Sequence, residues 1–133
     1  MKHLRSESGQ SLIELAVLLP ILLTLTLGVF NFALIYNTYV GIVNAANVAA
    51  TYAATSQAAA SNLSAITAAA LSESDVWRCT SQPTVTRTPG TDPYGYAMIR
   101  VTVSCQVGNL IAIPASFYHI TVSAEAVRRV RPA

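Results

Sequence analysis

A carboxylate in an otherwise apolar stretch is the most unusual chemical feature of the N-terminal region. After Glu14, the next charged residue is Glu73. A carboxylate at the centre of a membrane-spanning helix costs roughly 2.5–3.5 kcal/mol, and less near the interface. One hypothesis is that Glu14 stays hydrated at headgroup depth. The other is that it has a cationic partner. If the leader MKHLRSESG were removed after Gly9, the new α-amine of Gln10 would lie four positions away and could pair with Glu14, within one helix or between adjacent helices.

The other reactive side chains form no recognisable catalytic or metal-binding pattern. The two histidines are His3 and His119, and alternation places His119 on the polar face of a strand. The sequence contains no HExxH motif, glycine-rich phosphate loop or CxxC pair. Serines and threonines are plentiful, but a catalytic triad also needs a positioned base. We therefore predict that the protein is not an enzyme and carries no metal or cofactor.

The two cysteines allow a single intramolecular disulfide. Cys79 and Cys105 are the only pair. In an oxidising compartment, a link between them would stabilise a small domain by roughly 3–4 kcal/mol on the chain-entropy model. The alternative is a pair of reduced, buried thiols. We predict the disulfide.

The composition and charge pattern point to a membrane span. The chain is 53% hydrophobic and 11% charged, against about 25% charged in soluble domains. This composition excludes a disordered chain and a nucleic-acid-coating protein. As a helix, residues 15–36 would be about 33 Å long, enough for a hydrocarbon core of about 30 Å. The alternative is a secretory signal peptide, but its apolar core is typically only about 7–15 residues. Lys2 and Arg5 precede the span and the next basic residue is Arg78, so the N-terminus should stay cytoplasmic.

The helix is predicted to continue beyond the membrane. Residues 37–71 are rich in alanine and contain no proline, which favours helix with a bend or break near Ser61–Ser64. Small side chains let neighbouring helices approach closely. Larger apolar residues recur three to five positions apart and predict an apolar stripe, namely Tyr39, Ile42, Val43, Val48 and Tyr52. This surface could pack against the chain's own C-terminal domain or against copies of itself.

The C-terminal half changes to a period of two, which predicts strands. Residues 96–107 and 119–127 alternate between apolar and polar side chains, the second through Ile120, Val122, Ala124 and Ala126. A weaker strand at 84–88 is joined to the first by the turn sequence PGTDPYG. Cys105 falls on the apolar face, so a disulfide to Cys79 would connect the helix exit to the sheet.

Three further parts of this region have predicted roles. Apolar residues in the connection 109–118 would cap the core or touch a neighbour. Three tyrosines would form an adhesive patch or complete the core, namely Tyr94, Tyr96 and Tyr118. The C-terminal arginines are predicted to form a solvated tail, namely Arg128, Arg129 and Arg131.

These elements predict an α+β fold. A long N-terminal transmembrane helix continues into an alanine-rich helix, which packs against a small C-terminal antiparallel β-sheet. The predicted segments are a leader at 1–9, a transmembrane helix at 10–36, an alanine-rich extracytoplasmic helical region at 37–72 and a disulfide-linked sheet domain at 73–133.

The N-terminal pattern resembles the processing site of type IV pilins and pseudopilins. A short basic leader ends in Gly9, Gln10 follows, and Glu14 would be the fifth residue of the trimmed chain. The longer string GQSLIELAVLLPILLTLTLGVFNF is similar to TadE-like proteins, as are NAANVAATYAA and the tail ITVSAEAVRRV. These proteins are pseudopilins of the tight-adherence (Tad) system, which builds Flp pili. Pro20 also matches their pattern, and it could kink the helix or be tolerated without a function.

The resemblance implies a pilin-like fold and a role in assembly. A cytoplasm-facing prepilin peptidase would cut between Gly9 and Gln10, and Glu14 would pair with a neighbour's amino terminus. The implied partners are membrane lipid, the peptidase, other pilin or pseudopilin subunits and the Tad assembly machinery, with no nucleic acid. The implied location is the bacterial inner membrane, N-terminus cytoplasmic and C-terminal domain extracytoplasmic, with incorporation into an extracellular pilus left open.

Two features adjust this expectation. Gln10 is not the hydrophobic first residue that many type IV pilins methylate, which argues against methylation. The chain is larger than the major Flp pilin, which favours a minor subunit. The alternative is a non-pilin, single-pass anchor carrying an extracytoplasmic binding domain. A third hypothesis is a secreted soluble domain whose mature chain begins within residues 37–71.

Overall fold

A long helix and a small sheet make up the protein. The computed structural model describes residues 7–73, 79–108 and 119–132. The elements in chain order are α1 (Glu7–Ala53), α2 (Gln57–Ser61), α3 (Leu63–Glu73), β1 (Thr84–Thr91), β2 (Ala97–Gly108) and β3 (His119–Arg129). The predicted α+β fold is confirmed. The predicted connection at 109–118 lies outside the described residues, as do Tyr118, His3 and the side chain of His119.

Helix α1 contains 47 residues and is therefore about 70 Å long. It begins at Glu7, so it includes the last part of the predicted leader. Its stretch Gly9–Ala53 is long and apolar enough to cross a membrane, and the most apolar part of it is not buried within the chain. The helix therefore fits a membrane anchor.

Two polar side chains cap the starts of the short helices that follow α1. Ser56 Oγ accepts a hydrogen bond from Ala59 N at 3.1 Å, at the start of α2. Asn62 Oδ1 accepts one from Ala65 N at 3.2 Å, at the start of α3. Such side chains replace the missing backbone partners of a helix N-terminus. The predicted break near Ser61–Ser64 is present at Asn62. Residues 54–56 form a second break in the helix, which the alanine-rich sequence did not predict.

The sheet has the order β1-β2-β3, with both pairs antiparallel. Strand β1 is longer than predicted because it includes Pro89 and Gly90 of the predicted turn. Pro89 lies opposite Ile99 of the central strand. Because β1 is an edge strand, it tolerates a proline that cannot donate a hydrogen bond.

The core lies between the sheet and the helices. The predicted inward face of β2 is confirmed, since its alternate side chains are buried, namely Ile99, Val101, Val103, Cys105 and Val107. In β3, Val122 and Ala126 are buried, whereas Ile120 is 40% exposed at the start of the strand. Ile120 was predicted to face inward and only partly does so.

The fully buried face of α1 shares only Ile42 with the predicted stripe of larger residues. Its buried side chains are Ile42, Ala45, Ala46, Ala49, Ala50 and Ala53. Tyr39 and Tyr52 are 45% and 39% exposed. Alanine forms most of the contact because a side chain of one carbon lets the sheet approach the helix backbone closely. The stripe therefore packs against the chain's own domain only in part, since its two tyrosines remain largely exposed.

The disulfide between Cys79 and Cys105 is present, as predicted. Its Cα atoms are 5.7 Å apart, within the usual range for such links. Thr80 N also donates to Gln106 O at 2.8 Å. The segment that follows the helices is thus attached to the end of β2 by a covalent bond and a backbone hydrogen bond.

The close helix–sheet contact predicts a large difference between two identical substitutions. Ala49 is fully buried in the core, so Ala49→Leu should lower the free energy of unfolding by about 1–3 kcal/mol through overpacking. Ala68→Leu, on the exposed side of α3, should change it by no more than about 0.5 kcal/mol. Denaturant unfolding of the purified protein in detergent micelles, followed by circular dichroism, would measure both. Equal effects of the two substitutions would contradict the burial of Ala49 in the core.

Candidate functional site

The predicted cleavage site lies near the beginning of α1 and is exposed. Gly9 and Gln10 are both accessible. A Cβ atom built on Gly9 would meet no heavy atom of the described residues within 4 Å, apart from the local helix backbone. Glycine weakens a helix by about 1 kcal/mol relative to alanine. The peptide bond between Gly9 and Gln10 is therefore held by local helix hydrogen bonds and not by the sheet domain.

The structure brings Gln10 and Glu14 together. Gln10 Nε2 donates to Glu14 Oε1 at 3.3 Å, one helical turn away. Residues separated by four positions lie on the same side of a helix, which is the geometric premise of the predicted pairing. In the untrimmed chain, the Gln10 carboxamide contacts the carboxylate that the new amine would contact after cleavage.

Pro20 lies within α1 and does not end it. Proline has no backbone N–H, so it cannot donate to the carbonyl of Ala16. One turn further on, Thr24 Oγ1 donates to the Pro20 carbonyl at 2.7 Å, and Thr26 Oγ1 donates to the Leu22 carbonyl at the same distance. The polar groups of Thr24 and Thr26 are thereby satisfied within the helix, which lets them lie in an apolar environment.

The first half of α1 is exposed around its whole circumference. Large apolar side chains from Leu12 to Phe32 are 45–69% exposed. A helix that is apolar on all sides needs lipid or other protein around it. The second half differs, because from Ile35 onward the helix packs against the chain's own sheet.

Aromatic residues mark the change between the two halves. Phe32 and Tyr36 stack with their ring centroids 6.4 Å apart. With Tyr39 and residues 121–123 of β3, they line an open groove of about 370 Å³. Aromatic side chains concentrate at membrane–water interfaces. These aromatic residues lie at the end of the apolar span, where α1 first contacts the sheet.

The other end of the sheet carries an exposed aromatic and cationic cluster. The guanidinium of Arg129 lies 5.0 Å from the ring centroid of Tyr96 and 5.9 Å from that of Tyr94, within the range of cation–π interactions. Tyr94 is 80% exposed and Tyr96 is 58% exposed. These two tyrosines therefore do not complete the core.

The buried carboxylate of Asp92 fixes the position of this cluster. Its side chain is 4% exposed, and Oδ2 lies 2.6 Å from Arg129 Nη2. Oδ1 accepts hydrogen bonds from Tyr94 N at 2.9 Å and Tyr96 N at 2.8 Å. The turn closes through Gly95, whose φ of 82° suits a residue without a side chain.

The C-terminal arginines are exposed, as predicted, but they belong to the folded sheet domain and do not form a free tail. β3 extends to Arg129, and Arg128 Nη2 donates to Asn47 Oδ1 of α1 at 3.1 Å. Arg131 N donates to the Ala54 carbonyl at 3.0 Å. These partners lie far away in the sequence, so the local charge pattern carried no signal for them.

Asp92 should contribute more to stability than an exposed carboxylate on the same sheet. Asp92→Ala removes the ion pair and the side-chain acceptor of two backbone N–H groups, and we expect it to lower the free energy of unfolding by about 1–3 kcal/mol. Glu125→Ala breaks the exposed pair with Arg100, whose atoms are 3.2 Å apart, and should cost about 0–1 kcal/mol. Chemical denaturation of both variants would test this order, and a smaller loss for Asp92→Ala would contradict it.

No metal site is present in the parts of the chain that the structure describes. No group of three or more His, Cys, Asp or Glu side chains there could hold a metal ion. The site residues identified from the sequence thus fall into two places, with Gly9, Gln10, Glu14 and Pro20 near the start of α1 and the disulfide at the end of β2.

Comparison with known proteins gives a match for the region at the start of α1. Residues 9–51 match the family model described as TadE-like protein. Neither a curated protein nor a solved structure matches the chain significantly. The matched segment begins at Gly9 and ends two residues before α1 does, so it contains Gln10, Glu14 and Pro20. It suggests a protein associated with the Tad pilus. In its N-terminal helical region, residues 9–51, the chain is thus similar to TadE-like proteins.

Proposed function

We propose that this chain is a minor pilin or pseudopilin of a Tad pilus system. A prepilin peptidase removes the leader after Gly9, and the trimmed subunit assembles laterally through the first half of α1. The sheet domain lies outside the cytoplasmic membrane. The protein acts as a structural subunit and not as an enzyme.

The observation that carries this proposal is the division of α1 into two halves. From Ile35 onward, the chain's own sheet and α3 cover one face of the helix, while the large apolar side chains from Leu12 to Phe32 are 45–69% exposed. The covered half cannot offer its alanine face to a neighbour. The exposed half can exchange lipid contacts for contacts with the same half of other subunits.

Glu14 supplies the specificity that apolar contacts lack. Lipid tails are as apolar as leucine, so burial of leucine alone drives little association within a membrane. A carboxylate and an amine from neighbouring subunits would neutralise each other and favour one axial stagger. Glu14 is exposed on α1 and one turn from Gln10, so its carboxylate is accessible to such a partner.

The exposed cluster at the other end of the sheet favours a second candidate function. Tyr94, Tyr96 and Arg129 form a surface that an anchored binding domain could use. In that case, the chain would be a single-pass membrane protein that is neither trimmed nor assembled.

Determination of the amino terminus tests these alternatives. We expect mass spectrometry of protein purified from cells with the Tad machinery to find a chain that begins at the position of Gln10. Intact MKHLRSESG in an assembled sample would refute the pilin proposal. An untrimmed monomer would support the anchored binding domain, and a chain beginning within residues 37–71 would indicate a secreted domain.

A further inference from the structure

Cleavage after Gly9 would create a terminus with its own reactivity, and this inference rests on the proposed function. An amino-terminal glutamine can cyclise without an oxidant or a co-reactant. The α-amine nitrogen attacks the side-chain carbonyl carbon Cδ, a new C–N bond closes a five-membered lactam, and Nε2 leaves as ammonia. The product is pyroglutamate, which has no charged amine. Loss of a terminal charge changes every electrostatic contact that the terminus makes.

The contact between Gln10 and Glu14 opposes this reaction. Gln10 Nε2 donates to Glu14 Oε1 at 3.3 Å, so the carboxamide points along the helix toward the next turn. Ring closure requires Cδ to approach the backbone nitrogen of Gln10, and this hydrogen bond must break first.

We propose that Glu14 protects the trimmed terminus of Gln10 from conversion to pyroglutamate. In the untrimmed chain the reaction cannot occur, because the nitrogen of Gln10 is part of a peptide bond. After trimming, the same carboxylate holds the carboxamide and the ammonium group. A subunit that cyclises keeps its apolar helix but loses the charge that a neighbour's Glu14 would contact, so it is withdrawn from assembly.

The test compares full-length variants that have been trimmed in cells and purified in detergent micelles. Their intact masses are followed during incubation, since cyclisation lowers the mass by one ammonia. We expect Glu14→Ala to cyclise about two- to tenfold faster than the wild type, the factor that corresponds to one hydrogen bond. Thr26→Ala, which alters a local hydrogen bond further along α1, should react at the wild-type rate. Gln10→Ala should lose no ammonia from its terminus.

The outcomes separate this inference from the proposed function. Trimmed wild-type and Glu14→Ala proteins with the same rate, including no cyclisation in either, would overturn the protective role while leaving processing intact. A wild-type chain that retains its leader would overturn both. Faster loss of ammonia in Glu14→Ala, absent when Gln10→Ala is combined with it, supports the proposal.

Discussion

Replacing Gly9 with leucine is expected to leave the leader attached to essentially all of the protein, without affecting membrane insertion. A peptidase must bring the scissile bond close to its catalytic groups, and glycine allows the closest approach of a backbone. The chain's own fold does not require glycine at this position, because an added Cβ would meet no described atom within 4 Å beyond the local helix. A strict requirement for Gly9 would therefore come from the peptidase.

Gly28→Leu is the matched control. Gly28 also lies in the apolar half of α1, and a Cβ atom there would likewise meet no described atom within 4 Å. We expect this variant to insert and to be trimmed like the wild type. The intact mass of each membrane-extracted protein distinguishes the two forms. Complete trimming of Gly9→Leu at Gln10 would show that Gly9 does not define the cleavage site.

Replacing Glu14 with alanine is expected to leave insertion and trimming unchanged but to reduce assembly at least about tenfold. The substitution removes a charge from the apolar half of α1, so insertion should not become harder. In the assembled state, however, a neighbour's amine would lose its carboxylate. An uncompensated buried charge costs about 3–5 kcal/mol. This free energy is larger than the one that corresponds to a tenfold change in an equilibrium constant. Cross-linking of subunits in membranes, or recovery of the protein in sheared fibres, would measure the loss.

Two further variants identify which property of Glu14 matters. Glu14→Gln keeps the size and an acceptor oxygen but removes the charge, and it should assemble as poorly as Glu14→Ala if charge pairing is required. Gln10→Ala keeps the amine and the carboxylate and should assemble normally. Wild-type assembly by Glu14→Ala would mean that Glu14 is only a hydrated residue at the membrane interface.

Several features could be predicted because they depend on composition, on short repeats of apolar residues or on the number and spacing of particular residues. An uncharged stretch longer than a bilayer is thick predicts a span, whatever the rest of the chain does. Strict alternation identified the inward face of β2, including Cys105, because side chains in a strand alternate between its two sides. With only two cysteines, a single pairing was available. Because Gln10 and Glu14 are four residues apart, the sequence predicted that they lie on one side of a helix.

Which surfaces meet was decided only by the tertiary structure. Tyr39 and Tyr52 had the stronger apolar signal, but Ala45, Ala49 and their neighbours pack against the sheet. Hydrophobic patterns weight large side chains, whereas close approach of a helix and a sheet favours small ones. The contacts of Arg128 with Asn47 and of Arg129 with Asp92 likewise join residues that are distant in the sequence. Such pairs form when packing brings the elements together, because the charge pattern along a chain specifies no partner across space.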